Sequence, residues 1–227
     1  MLKTYKSPRV GIIPLCEYQA ASAVRRTTII KNAKDVPVYI AKRYEKAEHF
    51  LANFLTSQGE SRHLTDYINT LRTDAYKSKF EEDCGHSSAD SLSAFHQNGL
   101  WVTTLLNSFG LYCSINDHSN KMIVNGVQIS FRPEIILRDK DGRQQLGFVK
   151  LYFSKTKPLS ESSATLITCV GKHYYELEQG LVLQAKNCLI LDVFRGTLFD
   201  APKAHKRRLN EVLASCKEIA DRWDLID

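Results

Sequence analysis

Pro133-Glu-Ile-Ile-Leu-Arg-Asp-Lys-Asp-Gly-Arg-Gln-Gln-Leu-Gly-Phe-Val-Lys-Leu-Tyr-Phe153 is the stretch on which the fold turns. A short apolar run after Pro133 stops at Asp139-Lys-Asp-Gly142, a combination that favours a tight turn. A second apolar run, Leu146 to Phe153, then returns, so the stretch reads as a β-hairpin. Lys150 interrupts the returning strand. A lysine inside an apolar strand is costly unless its ammonium meets an acid or reaches solvent at a cleft. Glu134 opens the first strand, and the hairpin brings the two side by side. If the register puts them on one face, both point into the same cleft.

Strands continue on both sides of this hairpin. Upstream, Lys121-Met-Ile-Val precedes Asn125-Gly126, the strongest two-residue hairpin signal, and Val127 to Phe131 alternates as a half-buried strand does. Downstream, Ser160 or Ser162 is placed to cap a helix that runs to about Gln179, with Gly180 to end it. Asn187 to Phe194 is a further strand, Gly196 turns it into Thr197-Leu-Phe, and Pro202 stops that strand. The chain closes with an amphipathic helix whose stripe is Leu209, Val212, Leu213, Cys216, Ile219, Ala220 and Trp223. Toward the N-terminus the pattern is helical. Apolar residues recur at helical steps from Val38 to Leu55, including Ile40 and Ala41. A shorter helix carries Leu64, Tyr67, Ile68 and Leu71. Glu81 to Ser88 reads as a loop, and Ser91 to Leu106 as a helix interrupted or bent near Gly99. The expected fold class is α/β: a mostly helical N-terminal region over 1–110, then an α/β core over 111–227 with a mixed β-sheet flanked by helices.

Composition narrows the function classes. The chain has 227 residues, 43% of them hydrophobic and 25% charged, as an ordinary globular domain does. No apolar run approaches the ~20 residues that span a bilayer, and the first residues lack the apolar centre of a signal peptide. A cytoplasmic, membrane-free protein is expected. The cysteines, at 16, 84, 113, 169, 188 and 216, form no CxxC pair. They read as small buried hydrophobes in a reducing compartment, with a zinc site around Cys84 and His86 as the weaker alternative. Walker A, GxGxxG, HExxH and serine-elbow patterns are absent, which disfavours nucleotide hydrolysis and dinucleotide redox chemistry. The net charge of +6 favours an acidic partner such as nucleic acid. It is concentrated in Arg25-Arg26 with Lys31 and Lys34, and in Lys203-Ala-His-Lys-Arg-Arg208; either cluster can also be no more than a solvated face. Asp192, inside an apolar strand, is expected to cap backbone or pair with a base. Tyr174-Tyr175 reads as interior, with base stacking as the alternative.

Pro133-Glu134, a short hairpin and Lys150 on the next strand resemble the PD-(D/E)XK nuclease superfamily, as does the helix–strands–helix–strand order around them. The resemblance covers about residues 120 to 200 and implies a restriction-endonuclease-like core of bacterial type. In that pattern Glu134 matches the first acid and Lys150 the lysine, which makes them the implied catalytic pair. The sequence departs from the pattern at Phe148, where the second acid should stand. Glu178, Glu176 or Glu161 on the following helix are the substitutes, so the implied metal ligands are Glu134 and Glu178, holding Mg2+. Lys203, Lys206, Arg207 and Arg208 are the expected nucleic-acid contacts. The implied activity is metal-dependent phosphodiester cleavage of DNA or RNA. The alternatives are a non-catalytic subunit on the same fold, which binds nucleic acid or a partner protein within a complex, and an adaptor that uses the helical N-terminal third.

Overall fold

A strand buried on both faces needs a layer on each side, and the strand carrying Lys150 has both. The fold, a computed structural model, describes residues 2–37, 43–117, 120–204 and 206–226. It opens with β1 (Leu2–Thr4), β2 (Arg9–Gly11), α1 (Ile12–Ala20), α2 (Ala23–Lys34) and β3 (Asp35–Pro37). Four helices follow: α3 (Glu45–Thr56), α4 (Ser61–Thr73), α5 (Lys79–Asn98) and α6 (Trp101–Leu106). Then come β4 (Gly110–Cys113), β5 (Asn120–Val124), β6 (Val127–Phe131), β7 (Ile135–Arg138) and β8 (Gln145–Tyr152). The chain finishes with α7 (Glu161–Glu178), β9 (Cys188–Asp192), β10 (Thr197–Asp200) and α8 (Lys206–Trp223).

The central sheet has the order β10-β9-β8-β7-β4. β8 and β9 are parallel, with α7 as the crossover between them, and the other neighbours are antiparallel. Alternation along β8 sends Phe148 into one core with Ile136, Ile190, Val170 and Trp223. Val149 and Leu151 point into the other, with Leu51, Leu92 and Phe95. α1, α7 and α8 cover the first face, and the helices α3 to α6 cover the second. A smaller sheet, β2-β6-β5, lies on the α1 and α8 side, and its β5–β6 hairpin turns on Asn125 and Gly126, both with positive φ. No helix among the described residues is long and apolar enough to cross a membrane. The molecule is mixed α/β.

Several expectations need correction. Glu81 to Ser88 is helical, not a loop: Ser78 caps α5 by accepting from the Glu81 N–H at 3.2 Å. Its composition hides a small-residue side, for a Cβ on Gly85 would stand 1.9 Å from the Tyr76 hydroxyl oxygen. The break near Gly99 does occur, between α5 and α6. The helix expected from Val38 begins at Glu45; Val38, Ile40 and Ala41 lie outside the described residues, as does His205 of the basic run. The first 37 residues contain three short strands as well as helices. Parallel pairing of β2 with β6, and packing of α1 on α7, cross the position 110 boundary. On α8, Val212, Cys216, Ile219 and Trp223 are buried, but Leu213 is 43% exposed and faces a shallow apolar cleft with Met122 and Val124.

Candidate active-site cleft

Backbone pairing brings Glu134 and Lys150 together. The Ile135–Val149 register places Glu134, one residue ahead of β7, opposite Lys150, and the Glu134 N–H donates to the Val149 carbonyl at 3.1 Å. The loop is tied from the other side. Ser114 donates its N–H to the Glu134 carbonyl at 2.9 Å and its hydroxyl to the Pro133 carbonyl at 2.9 Å. Glu134 is fully buried. One carboxylate oxygen accepts from the Lys150 ammonium and the other from the Leu151 N–H. Burial raises the Glu134 carboxyl above the usual carboxylate range, Lys150 and the Leu151 N–H oppose this, and the negative charge of Glu48 adds to it.

Lys150 lies in the wall of an open cleft of about 370 Å³. The other walls are Arg132 and Ser130 after and within β6, Glu48 of α3, and the chain from Gly11 to Pro14 where α1 begins. Arg132 donates to Glu48 at 3.1 Å, with Glu48 15% and Arg132 27% exposed at the side chain. The cleft therefore presents Lys150, Arg132 and Glu48, with Glu134 buried behind Lys150. Glu48 is absent from the sequence-derived candidates, although a signal for it exists. It lies at helical spacing from Leu51, Ala52 and Leu55 on the buried side of α3, an acid inside an apolar stripe as Lys150 is a lysine inside an apolar strand.

The proposed substitute acids are elsewhere. Glu176 pairs with Lys172 on its own helix, while Glu178 and Glu161 are exposed; none of the three lines this cleft. Glu178 is thus not among the residues of the Lys150 cleft. Phe148 is fully buried, 5.1 Å from the Phe131 ring and 5.7 Å from that of Tyr175. A divalent ion of magnesium's type accepts one or two carboxylates and completes its shell with water and phosphate oxygen. Glu48 lines the cleft and fits that requirement in kind, whereas Glu134 is fully buried with both carboxylate oxygens already accepting hydrogen bonds. Among the described residues no group of three or more His, Cys, Asp or Glu side chains is arranged to hold a metal, around Cys84 and His86 or elsewhere.

The basic residues separate into distinct roles. Lys203, Lys206 and Arg207 are exposed at the start of α8. Arg207 and Arg208 both pair with Glu211, which offsets their charge at the positive end of the helix. Arg26 donates to the Tyr18 and Gln19 carbonyls at the end of α1 and pairs with Glu218. Lys34 donates to the Trp223 and Ile226 carbonyls at the end of α8. Both are helix-end cations of the kind the macrodipole favours. Asp192 accepts from the Leu159 N–H at 2.9 Å and the Arg195 N–H at 3.3 Å, so it caps backbone as expected. Tyr174 and Tyr175 are interior. No family model matches the chain, and no curated protein matches it.

Proposed function

We propose that the protein is a cytosolic, nuclease-like enzyme that acts on the phosphodiester backbone of nucleic acid at the Lys150 cleft, on a restriction-endonuclease-like framework. One observation carries the reading: Lys150, Arg132 and Glu48 line one cleft, and Lys150 is held there from behind by the buried Glu134 carboxylate. The order β7, β8, α7, β9 around them supports it. Magnesium, if held by Glu48, would supply positive charge to a phosphate oxygen. Lys150, held against Glu134, presents its ammonium to the charge that develops on the phosphate. Arg132, fixed by Glu48, orients the strand through its guanidinium fork.

Phe148 favours a second reading, in which the cleft binds nucleic acid without cutting it. It fills the position of an acid in the resembled pattern and is locked among aromatic rings. Purified protein incubated with single- and double-stranded DNA and RNA, in magnesium or manganese, separates the two. Cleavage should fall on the order of 100-fold or more in each of Glu134→Ala, Glu48→Ala and Lys150→Ala with folding retained. Cleavage that survives all three removes this cleft from the chemistry. A folded wild type that binds but never cuts leaves the second reading.

A further inference from the structure

Three further clefts continue from the Lys150 cleft along α1. The next shares Gly11, Pro14 and Ser130 with it and adds Arg9. That one shares Glu17 and Arg25 with a third, which adds Lys157. The third shares Cys16, Ala20, Ser160 and Ser163 with a fourth of about 460 Å³, where Arg26 and Arg208 stand. Seven cations and four acids line the four clefts. Glu17 is the knot of this charge pattern: it holds Lys157 at 3.0 Å and Arg25 at 2.9 Å, with those cations 70% and 45% exposed. It also lines both the cleft on the α2 side and the cleft beside the start of α7, so it stands on the ridge between them.

We infer that this run of clefts over α1 is the path of a single nucleic-acid strand leading to the Lys150 cleft, an inference that rests on the function proposed above. Charge and continuity favour a polyanion, and the path selects its form. A chain that follows the clefts must pass over the Glu17 ridge and turn within the width of one helix, ~10 Å. Duplex DNA, with a persistence length of ~50 nm, does not bend on that scale, whereas a single strand does. Arg9 lies 4.0 Å over the Tyr5 ring and offers its planar guanidinium beside the path, a surface on which bases stack. On this path Arg25, Lys157 and Arg208 contact phosphates, and Lys203 and Lys206 do not.

The test is fluorescence anisotropy with a labelled oligothymidylate, alone and annealed to oligoadenylate, over a salt series. The free strand should bind more tightly than the duplex. Arg25→Glu with Lys157→Glu should weaken strand binding about tenfold or more and lower the salt slope by about 0.7 for each phosphate that is no longer neutralised. Glu17→Gln releases both cations and should tighten binding severalfold, a change that misfolding cannot imitate. Lys203→Glu with Lys206→Glu should leave it unchanged. Tighter duplex binding overturns the path, as does a Glu17→Gln variant without gain, or loss of binding confined to the Lys203 and Lys206 variant. Cleavage that depends on Lys150 while the Arg25 and Lys157 variant binds normally overturns the path but spares the proposed function. The predicted binding changes with no cleavage by any preparation do the reverse.

Discussion

Glu134 and Lys150 form a buried pair, and such a pair is worth more as a constraint than as a source of stability. Removing one partner strands the other. Lys150→Met leaves a carboxylate with no cation in a fully buried site, so it should destabilise the fold by about 3–5 kcal/mol, read by urea unfolding near neutral pH. The pH dependence has a definite sign. Because burial raises the Glu134 carboxyl above its unfolded value, the protonated form is the one the fold favours. The stability Glu134 contributes is therefore fully present below the ordinary carboxylate range and is lost as pH rises through the higher folded value. Compared with Glu134→Gln, the wild type should be most advantaged near pH ~4 and lose part of that advantage by pH ~8. A gap that widens with pH would mean that Lys150 outweighs desolvation. Glu48 was the residue least legible from sequence. The apolar strand around Lys150 makes that lysine conspicuous, whereas an acid between helical turns looks like ordinary solvated charge until the layer above it is known.

At the scale of elements, α7 lies so close to the sheet that a glycine is required beneath it. A Cβ on Gly171 would stand 2.5 Å from the Phe131 ring and 2.7 Å from that of Phe148. Helix propensity alone predicts that Gly171→Ala stabilises by about 1 kcal/mol. Overpacking should reverse the sign and cost about 1–3 kcal/mol, which a thermal melt would register as a lowered midpoint. Trp223, buried on α8 with its indole N–H donated to the Tyr5 carbonyl, should cost about 3–5 kcal/mol when replaced by alanine. Elements with local signals were legible: the β5–β6 hairpin from Asn125-Gly126, α7 from Ser160 and Gly180, α8 from its stripe. α5 was half missed because Glu81 to Ser88 carries no apolar period, its buried side being made of Gly85, Ser88 and Ala89. β2 could not be read at all, since three residues carry no period and their partner strand is remote in sequence.

Across the whole molecule, β8 contributes to both cores, so neither layer can loosen without exposing it. Denaturant unfolding followed by far-UV circular dichroism and by tryptophan fluorescence should give coincident single transitions. Two separated transitions would show that residues 1–110 unfold independently of the rest. The division expected at 110 was a division of composition: helical residues come first, but β2 belongs to a sheet completed only by β6. That parallel pairing, Val10 to Ile129, also fixes an order in time. A ribosome adds roughly 5–20 residues per second, so β2 emerges several seconds or more before its partner. The β5–β6 hairpin, once released, closes within about 1–10 μs. Val10, Ile12 and Leu15, all buried in the finished core, spend that interval uncovered. Each newly made chain thus carries an uncovered apolar segment for the whole interval between the synthesis of β2 and that of β6, and that segment is where a nascent-chain chaperone has reason to bind.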